Sequence, residues 1–145
     1  MIYFDTNYIL KCYLNEPGAE DVRAVFRQHA GEVASSRLGR LEFHAALRWK
    51  FLKGQLSAGD VAAVRAQADA DEEAGLWTWL PWDVALLDNL ALKLRTMDYG
   101  GVLGSLDAIH LECALLGGIN EIFSHDEELK IAAPLFGLVA TDVIA

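Results

Sequence analysis

Met1-Ile-Tyr-Phe-Asp-Thr-Asn-Tyr-Ile-Leu10 opens the chain with a short apolar strand whose last residue is a carboxylate, Asp5. A brief apolar run bounded by polar residues reads as a buried strand, and open α/β sheets bind ligands outside the carboxyl ends of their strands. Three more acids stand in comparable places. Glu42, Asp107 and Asp126 each adjoin apolar sequence that should be core, at a strand end or in the early turns of a predicted helix. Four carboxylates converging from distant parts of one chain repel one another unless a cation lies between them. The pattern points to a divalent metal site.

Outward from Asp5, strands alternate with helices. Strand 2–5 leads to a helix over 7–14, ended by Asn15-Glu-Pro-Gly18, and a second helix over 19–29. A strand at 32–35 precedes a helix over 37–53. Ser57 caps an Ala-rich helix to about Ala74, with Asp60 at the capping-box position. Leu76–Leu80 alternates as a strand does, 83–97 is helical, and Tyr99-Gly-Gly-Val-Leu-Gly104 is a loop. Ser105 is expected to cap a helix to Leu116; strand 121–123, helix 126–133 and strand 138–140 complete the chain. The alternation predicts an α/β fold with a parallel, doubly wound sheet. At 145 residues, 53% of them apolar, a single domain spanning 1–145 is expected.

No apolar run approaches the ~18 residues of a membrane helix, and no secretory signal is visible at the N-terminus. Cys12 and Cys113 lie apart in apolar helical contexts, which reads as two buried free thiols in a cytoplasmic protein. The net charge of −9 argues mildly against nucleic acid. That average hides structure: Asp69-Ala-Asp-Glu-Glu73 reads as a solvated helix end, whereas residues 37–53 carry five basic side chains against the single acid Glu42.

On the 37–53 helix, about 100° per residue gathers Leu38, Leu41, Ala45, Trp49 and Leu52 on one apolar face, with Glu42 about 60° from its centre. Arg37, Arg40, His44 and Arg48 form a stripe on the other flank, off the apolar face and available to a partner. The 105–116 helix is apolar nearly all round and should be buried, so Asp107 in its first turn needs compensation beyond the helix dipole. His110, one turn on, reads equally as a support for the site or as packing. Glu112 points away from Asp107. Asp126 follows a strand in Ser124-His-Asp126, where Ser124 could bond a carboxylate and His125 should face solvent. Thr6 and Asn7 could orient Asp5 or cap the next helix. Four hard oxygen donors suit Mg2+ or Mn2+ and disfavour Zn2+.

Together, Ile2-Tyr-Phe-Asp-Thr-Asn7, Tyr13-Leu-Asn-Glu-Pro-Gly18, Ser35-Ser-Arg-Leu-Gly-Arg-Leu-Glu42, Ser105-Leu-Asp-Ala-Ile-His110 and Ser124-His-Asp-Glu-Glu-Leu129 resemble the PIN-domain ribonucleases of the VapC toxin family, from type II toxin–antitoxin systems. The resemblance covers the whole chain. It implies a PIN-like three-layer α/β/α fold with a central parallel sheet. It also implies a cytoplasmic endoribonuclease, dependent on Mg2+ or Mn2+, that cuts structured or messenger RNA and is blocked by a cognate antitoxin; a homodimer is left open. Residue by residue, it carries over Asp5, Glu42, Asp107 and Asp126 as the metal-binding catalytic acids, with Thr6, Asn7 and Ser124 in support. Whether Glu127 or Glu128 adds a ligand stays open.

Two alternatives, a phosphatase and a signalling domain, fail on residues. A haloacid-dehalogenase-type phosphatase needs a second Asp two places after the first, where this chain has Asn7. A receiver-like domain needs paired acids at the first strand end and a late Lys. From another class, a catalytically idle PIN module that only binds RNA or a partner remains. Gly100, Gly101 and Gly104 read as a turn before a phosphate cradle, and Trp77, Trp79 and Trp82 as packing before base stacking.

Overall fold

The computed structural model of the protein describes residues 1–98 and 101–145. Two residues of the expected Tyr99–Gly104 loop, Tyr99 and Gly100, therefore lie outside the described residues. β1 (Ile2–Phe4) is apolar on every residue and fully buried, and it takes the centre of a five-stranded sheet. The others are β2 (Val33–Ser36), β3 (Trp77–Leu80), β4 (Glu121–Phe123) and β5 (Val139–Thr141), in the order β3-β2-β1-β4-β5, all parallel.

Alternation along these strands makes the fold three-layered. Tyr3 pairs in register with Ala34 and Ile122, and all three face a core completed by Leu86, Leu90, Leu111 and Leu129. Those residues come from α5 (Val84–Thr96), α6 (Ser105–Leu116) and α7 (Glu127–Ala132). Ile2, Phe4, Val33 and Phe123 point the other way, into a second core with Tyr8, Val22, Phe43 and Leu47. These belong to α1 (Thr6–Tyr13), α2 (Ala19–Gln28) and α3 (Arg37–Leu52), with α4 (Ala58–Glu73) adding Ala68. Side chains of a strand alternate between faces, so a sheet apolar on both needs helices on both. A 3-10 turn (Ala133–Phe136) links α7 to β5. Among the described residues no helix is long and apolar enough to cross a membrane.

The chain moves outward from β1 through β2 to β3, then returns to the other side of β1 to lay down β4 and β5. The crevice at the carboxyl ends of β1 and β4 is the switch point at which such sheets bind ligands. Asp5 follows β1 and Ser124 follows β4.

The structure corrects several sequence-based expectations. α3 buries Leu38, Gly39, Phe43 and Leu47, while Leu41, Trp49 and Leu52 are exposed and Ala45 faces solvent with them. The helix carries two apolar arcs, and periodicity alone does not say which one the sheet covers. Glu42 lies between them, about 65° from the centre of the exposed arc and about 80° from that of the buried residues. α6 is buried from Ala108 to Ala114 but exposes Leu106, Leu115 and Leu116. Its N-cap is Gly104, without a side-chain cap, and Ser105 is its first helical residue. α1 is capped by Asp5 itself, not by Thr6 or Asn7.

The acidic run at the end of α4 is not simply solvated: Asp71 accepts from Tyr13 at 2.6 Å and Glu72 pairs with Arg40. Cys113 is buried but Cys12 only partly so, and both are free. The capping box of α4 forms in both directions, Ser57 with Asp60. Trp77 stacks between Phe26 and Trp79 as packing, whereas Trp82 is exposed.

Candidate functional site

A cavity of about 260 Å3 opens at the switch point, lined by Asp5, Thr6, Asn7, Leu10, Glu42, Ala46, Asp107, His110 and Asp126. All four predicted acids face it, drawn from the β1–α1 junction, α3, α6 and the β4–α7 junction.

Asp5 is 4% exposed and held from two sides. Its Oδ1 accepts the Tyr8 backbone N–H at 2.9 Å, capping α1, and its Oδ2 accepts the Ser124 hydroxyl. Ser124 is wholly buried and its oxygen also accepts the Asp126 N–H at 3.0 Å, so one hydroxyl joins the two strand-end acids. Asp126 turns Oδ1 to the Leu129 N–H at 2.8 Å, capping α7. Glu42 receives two donors on Oε1, the Thr6 hydroxyl at 2.7 Å and His110 Nε2 at 2.7 Å. Asp107 is half-buried, and among the described residues no hydrogen bond holds it.

Burial lifts the Asp5 carboxyl above its ordinary value; Ser124 and the Tyr8 N–H pull it back, and Asp126 pushes it further up. Burial also lifts Asp107, with repulsion from Asp126 and Glu42 adding to it. Burial acts on Glu42 in the same sense but is outweighed by the His110 and Thr6 hydrogen bonds, which hold it below the usual carboxylate range. Asp126 thus acts on both Asp5 and Asp107 across the cavity.

A divalent cation suits this donor set: the oxygens are hard, Asp107 has lone pairs to offer, and a cation would draw the raised carboxyls back to their ionised forms. Among the described residues, however, no three His, Cys, Asp or Glu groups are already gathered to hold a metal ion. Both oxygens of Asp5, one of Glu42 and one of Asp126 accept hydrogen bonds from protein donors. The donors share a cavity but are not closed into a cage.

Sequence reading left three partners unseen. The Tyr3 hydroxyl lies 2.6 Å from His110 Nδ1, buried Glu112 pairs with half-buried Lys93 at 2.6 Å, and Asp142 gathers Tyr8, His125 and Lys130. Tyr3 had one signal: a phenol in the middle of a buried strand must find a hydrogen-bond partner. Of the basic stripe, Arg40 is engaged in a two-pronged pair with Glu72, at 2.8 and 3.3 Å, while Arg37 and Arg48 are exposed. A larger cavity of about 400 Å3, between α1, α3 and α4, contains the Lys50–Glu16 ion pair at 3.2 Å and none of the four acids.

A family model described as PIN domain matches residues 2–134. No curated protein matches the chain in sequence. Among solved structures, the chain is similar to VapBC2 from Rickettsia felis bound to a DNA fragment from their promoter (12% identity, TM-score 0.66, 98% of each chain covered). It is also similar to FitAcB from Neisseria gonorrhoeae (20% identity, TM-score 0.66, covering 97% of this chain and 96% of that one). A structure of FitAB bound to an IR36 DNA fragment is likewise similar (20% identity, TM-score 0.67, 98% and 94% covered). At these identities the likeness is one of fold.

Proposed function

The chain belongs to the PIN domain family, and we propose that it is a metal-dependent endoribonuclease acting as the toxin of a toxin–antitoxin pair. The observation that carries this reading is the convergence of Asp5, Glu42, Asp107 and Asp126 on one cavity at the switch point. In this proposal residues 1–145 form one cytoplasmic domain, RNA is the substrate, and an antitoxin is the protein partner. The similarity in fold to VapBC2 and FitAB supports the last element by analogy.

Mg2+ or Mn2+, when bound, would supply Lewis-acid chemistry and the positive charge that an acidic cavity needs to accept a phosphodiester. The chain's own residues do the rest. Asp5 and Asp107 are assigned as direct ligands, Asp5 oriented by Ser124. Glu42 keeps Oε1 on Thr6 and His110, so its other oxygen is the one offered to an attacking water or to the ion; Asp126 is the other candidate for either role. Thr6 and Asn7 line the floor, and Arg37 and Arg48 are the exposed cations available to the RNA backbone.

A second reading, an idle PIN module that binds RNA or a partner without cutting, draws on the hydrogen bonds that already occupy Asp5 and Glu42. One experiment separates the two: a mixed RNA pool incubated with Mg2+ or Mn2+, beside an EDTA control and the variants Asp5→Asn and Asp107→Asn. Cleavage that needs the ion and both acids supports the nuclease. No cleavage by the wild-type chain under any ion favours the idle module.

A further inference from the structure

His110 lies one helical turn beyond Asp107 on α6, is 3% exposed, and has a partner on each ring nitrogen. Nε2 faces Glu42 Oε1 at 2.7 Å and Thr6 Oγ1 at 3.2 Å, while Nδ1 faces the Tyr3 hydroxyl at 2.6 Å. The neighbours decide which nitrogen holds the proton. An ionised carboxylate only accepts, so Nε2 must carry one. On the other side the Tyr3 oxygen already accepts the Ser36 N–H at 3.1 Å, and burial pushes the phenol far up, so it keeps a proton to give to Nδ1. The bonds run in one direction: Ser36 N–H to Tyr3, Tyr3 O–H to Nδ1, Nε2–H to Glu42. That chain starts at the end of β2, crosses β1 and α6, and finishes on α3.

We propose that His110 is a positioning residue, its tautomer set by Tyr3, which pins Oε1 of Glu42 and so leaves Oε2 as the oxygen presented to the cavity. Among the described residues Oε2 has no hydrogen-bond partner of its own. Glu42 is a long, half-buried side chain between two apolar arcs, and without this anchor its carboxylate has several rotamers open to solvent. The inference rests on the nuclease reading, and its test separates the two.

The substitutions are His110→Leu, which keeps volume but no donor, His110→Gln, whose amide N–H reaches the place of Nε2, and Tyr3→Phe. Mn2+ affinity is measured by calorimetric titration, beside kcat and KM on a cleaved RNA. His110→Leu should lower Mn2+ affinity and kcat about 10- to 100-fold, the usual effect of removing a partner behind a metal ligand, with KM unchanged. His110→Gln should recover most of both. Tyr3→Phe should lower kcat, and 15N spectra of the wild-type ring should show Nε2 protonated and Nδ1 bare.

Equal Mn2+ affinity and kcat in His110→Leu and wild type, or a ring proton on Nδ1, would overturn the inference alone. A wild-type chain that neither binds Mn2+ nor cuts RNA would overturn the proposed function and this inference with it. If His110→Leu does not fold, Tyr3→Phe and the ring spectrum decide: an unchanged kcat in Tyr3→Phe overturns the inference.

Discussion

Replacing Ser124 by Ala removes one oxygen and should unsettle two acids at once. The hydroxyl donates to Asp5 Oδ2 and accepts the Asp126 N–H, and it is wholly buried. A hydrogen bond to a charged group contributes about 1.5–3 kcal/mol and a neutral one about 0.5–1.5 kcal/mol, and buried groups left unpaired add to the loss. The cavity beside Asp5 lets water replace part of this, which brings the expected cost to about 2–3 kcal/mol in the metal-free protein. With a urea m-value of about 2 kcal/mol/M, the midpoint should fall by roughly 1–1.5 M at unchanged slope.

The cost should also depend on pH, and its sign is fixed by Asp5. Burial already holds its folded carboxyl above the ordinary 3.8, and the Ser124 bond limits that rise. A carboxyl whose folded value is raised takes stability away as pH climbs from its unfolded value through its folded one. Removing Ser124 raises it further, so the deficit should be widest at neutral pH and smallest at or below 3.8. Urea titrations in EDTA at both ends of that range are the assay. A deficit below about 0.5 kcal/mol, or one that does not change with pH, would refute the account of Ser124 as the clamp on Asp5.

Asp142→Asn should weaken the attachment of the C-terminal residues, because Asp142 takes bonds from Tyr8, His125, Lys130 and the Ile144 N–H. Burial alone would raise Asp142, but Lys130 and His125 hold it well below the usual range, so the stability it brings is present above 3.8 and fades in acid. Thermal melts should therefore separate variant and wild type at neutral pH and converge as pH falls. Gly39→Ala places a Cβ 2.5 Å from Ser35 Oγ and 3.3 Å from His110 Cε1, so these buried side chains or α3 must give way; about 1–3 kcal/mol of stability should be lost in chemical denaturation. Saturating Mn2+ at a hundredfold excess over its dissociation constant should stabilise the wild type by about 2.7 kcal/mol against EDTA, and Asp107→Asn should shrink that gain in the same melts. Reversing Arg37 and Arg48 to Glu should weaken RNA binding and flatten its salt dependence in filter-binding titrations, whereas Arg40→Ala should cost at most about 1 kcal/mol of stability through its partly exposed pair with Glu72.

What sequence alone determined is whatever depends on neighbours along the chain. The apolar run Ile2–Phe4 and the turn at Asn15–Gly18 marked the elements, and the Ser57–Asp60 box placed a helix start, because backbone geometry and caps act over three or four residues. Four acids at strand ends and helix starts pointed to the cavity that they line, since a β-α alternation brings carboxyl ends to one edge of a parallel sheet. Tertiary structure alone decided which residues of α3 are buried: Leu38 lies on the periodic face with Leu41, Ala45, Trp49 and Leu52, yet it is buried with Phe43 and Leu47 while the rest of that face is exposed, and docking on β2 and α1 makes the choice. It also decided who holds whom: Arg40 finds Glu72 across 32 residues, His110 finds Tyr3 across 107, and Asp142 finds Tyr8 across 134. Such bonds depend on the distance between packed elements, and no spacing within a single element encodes it.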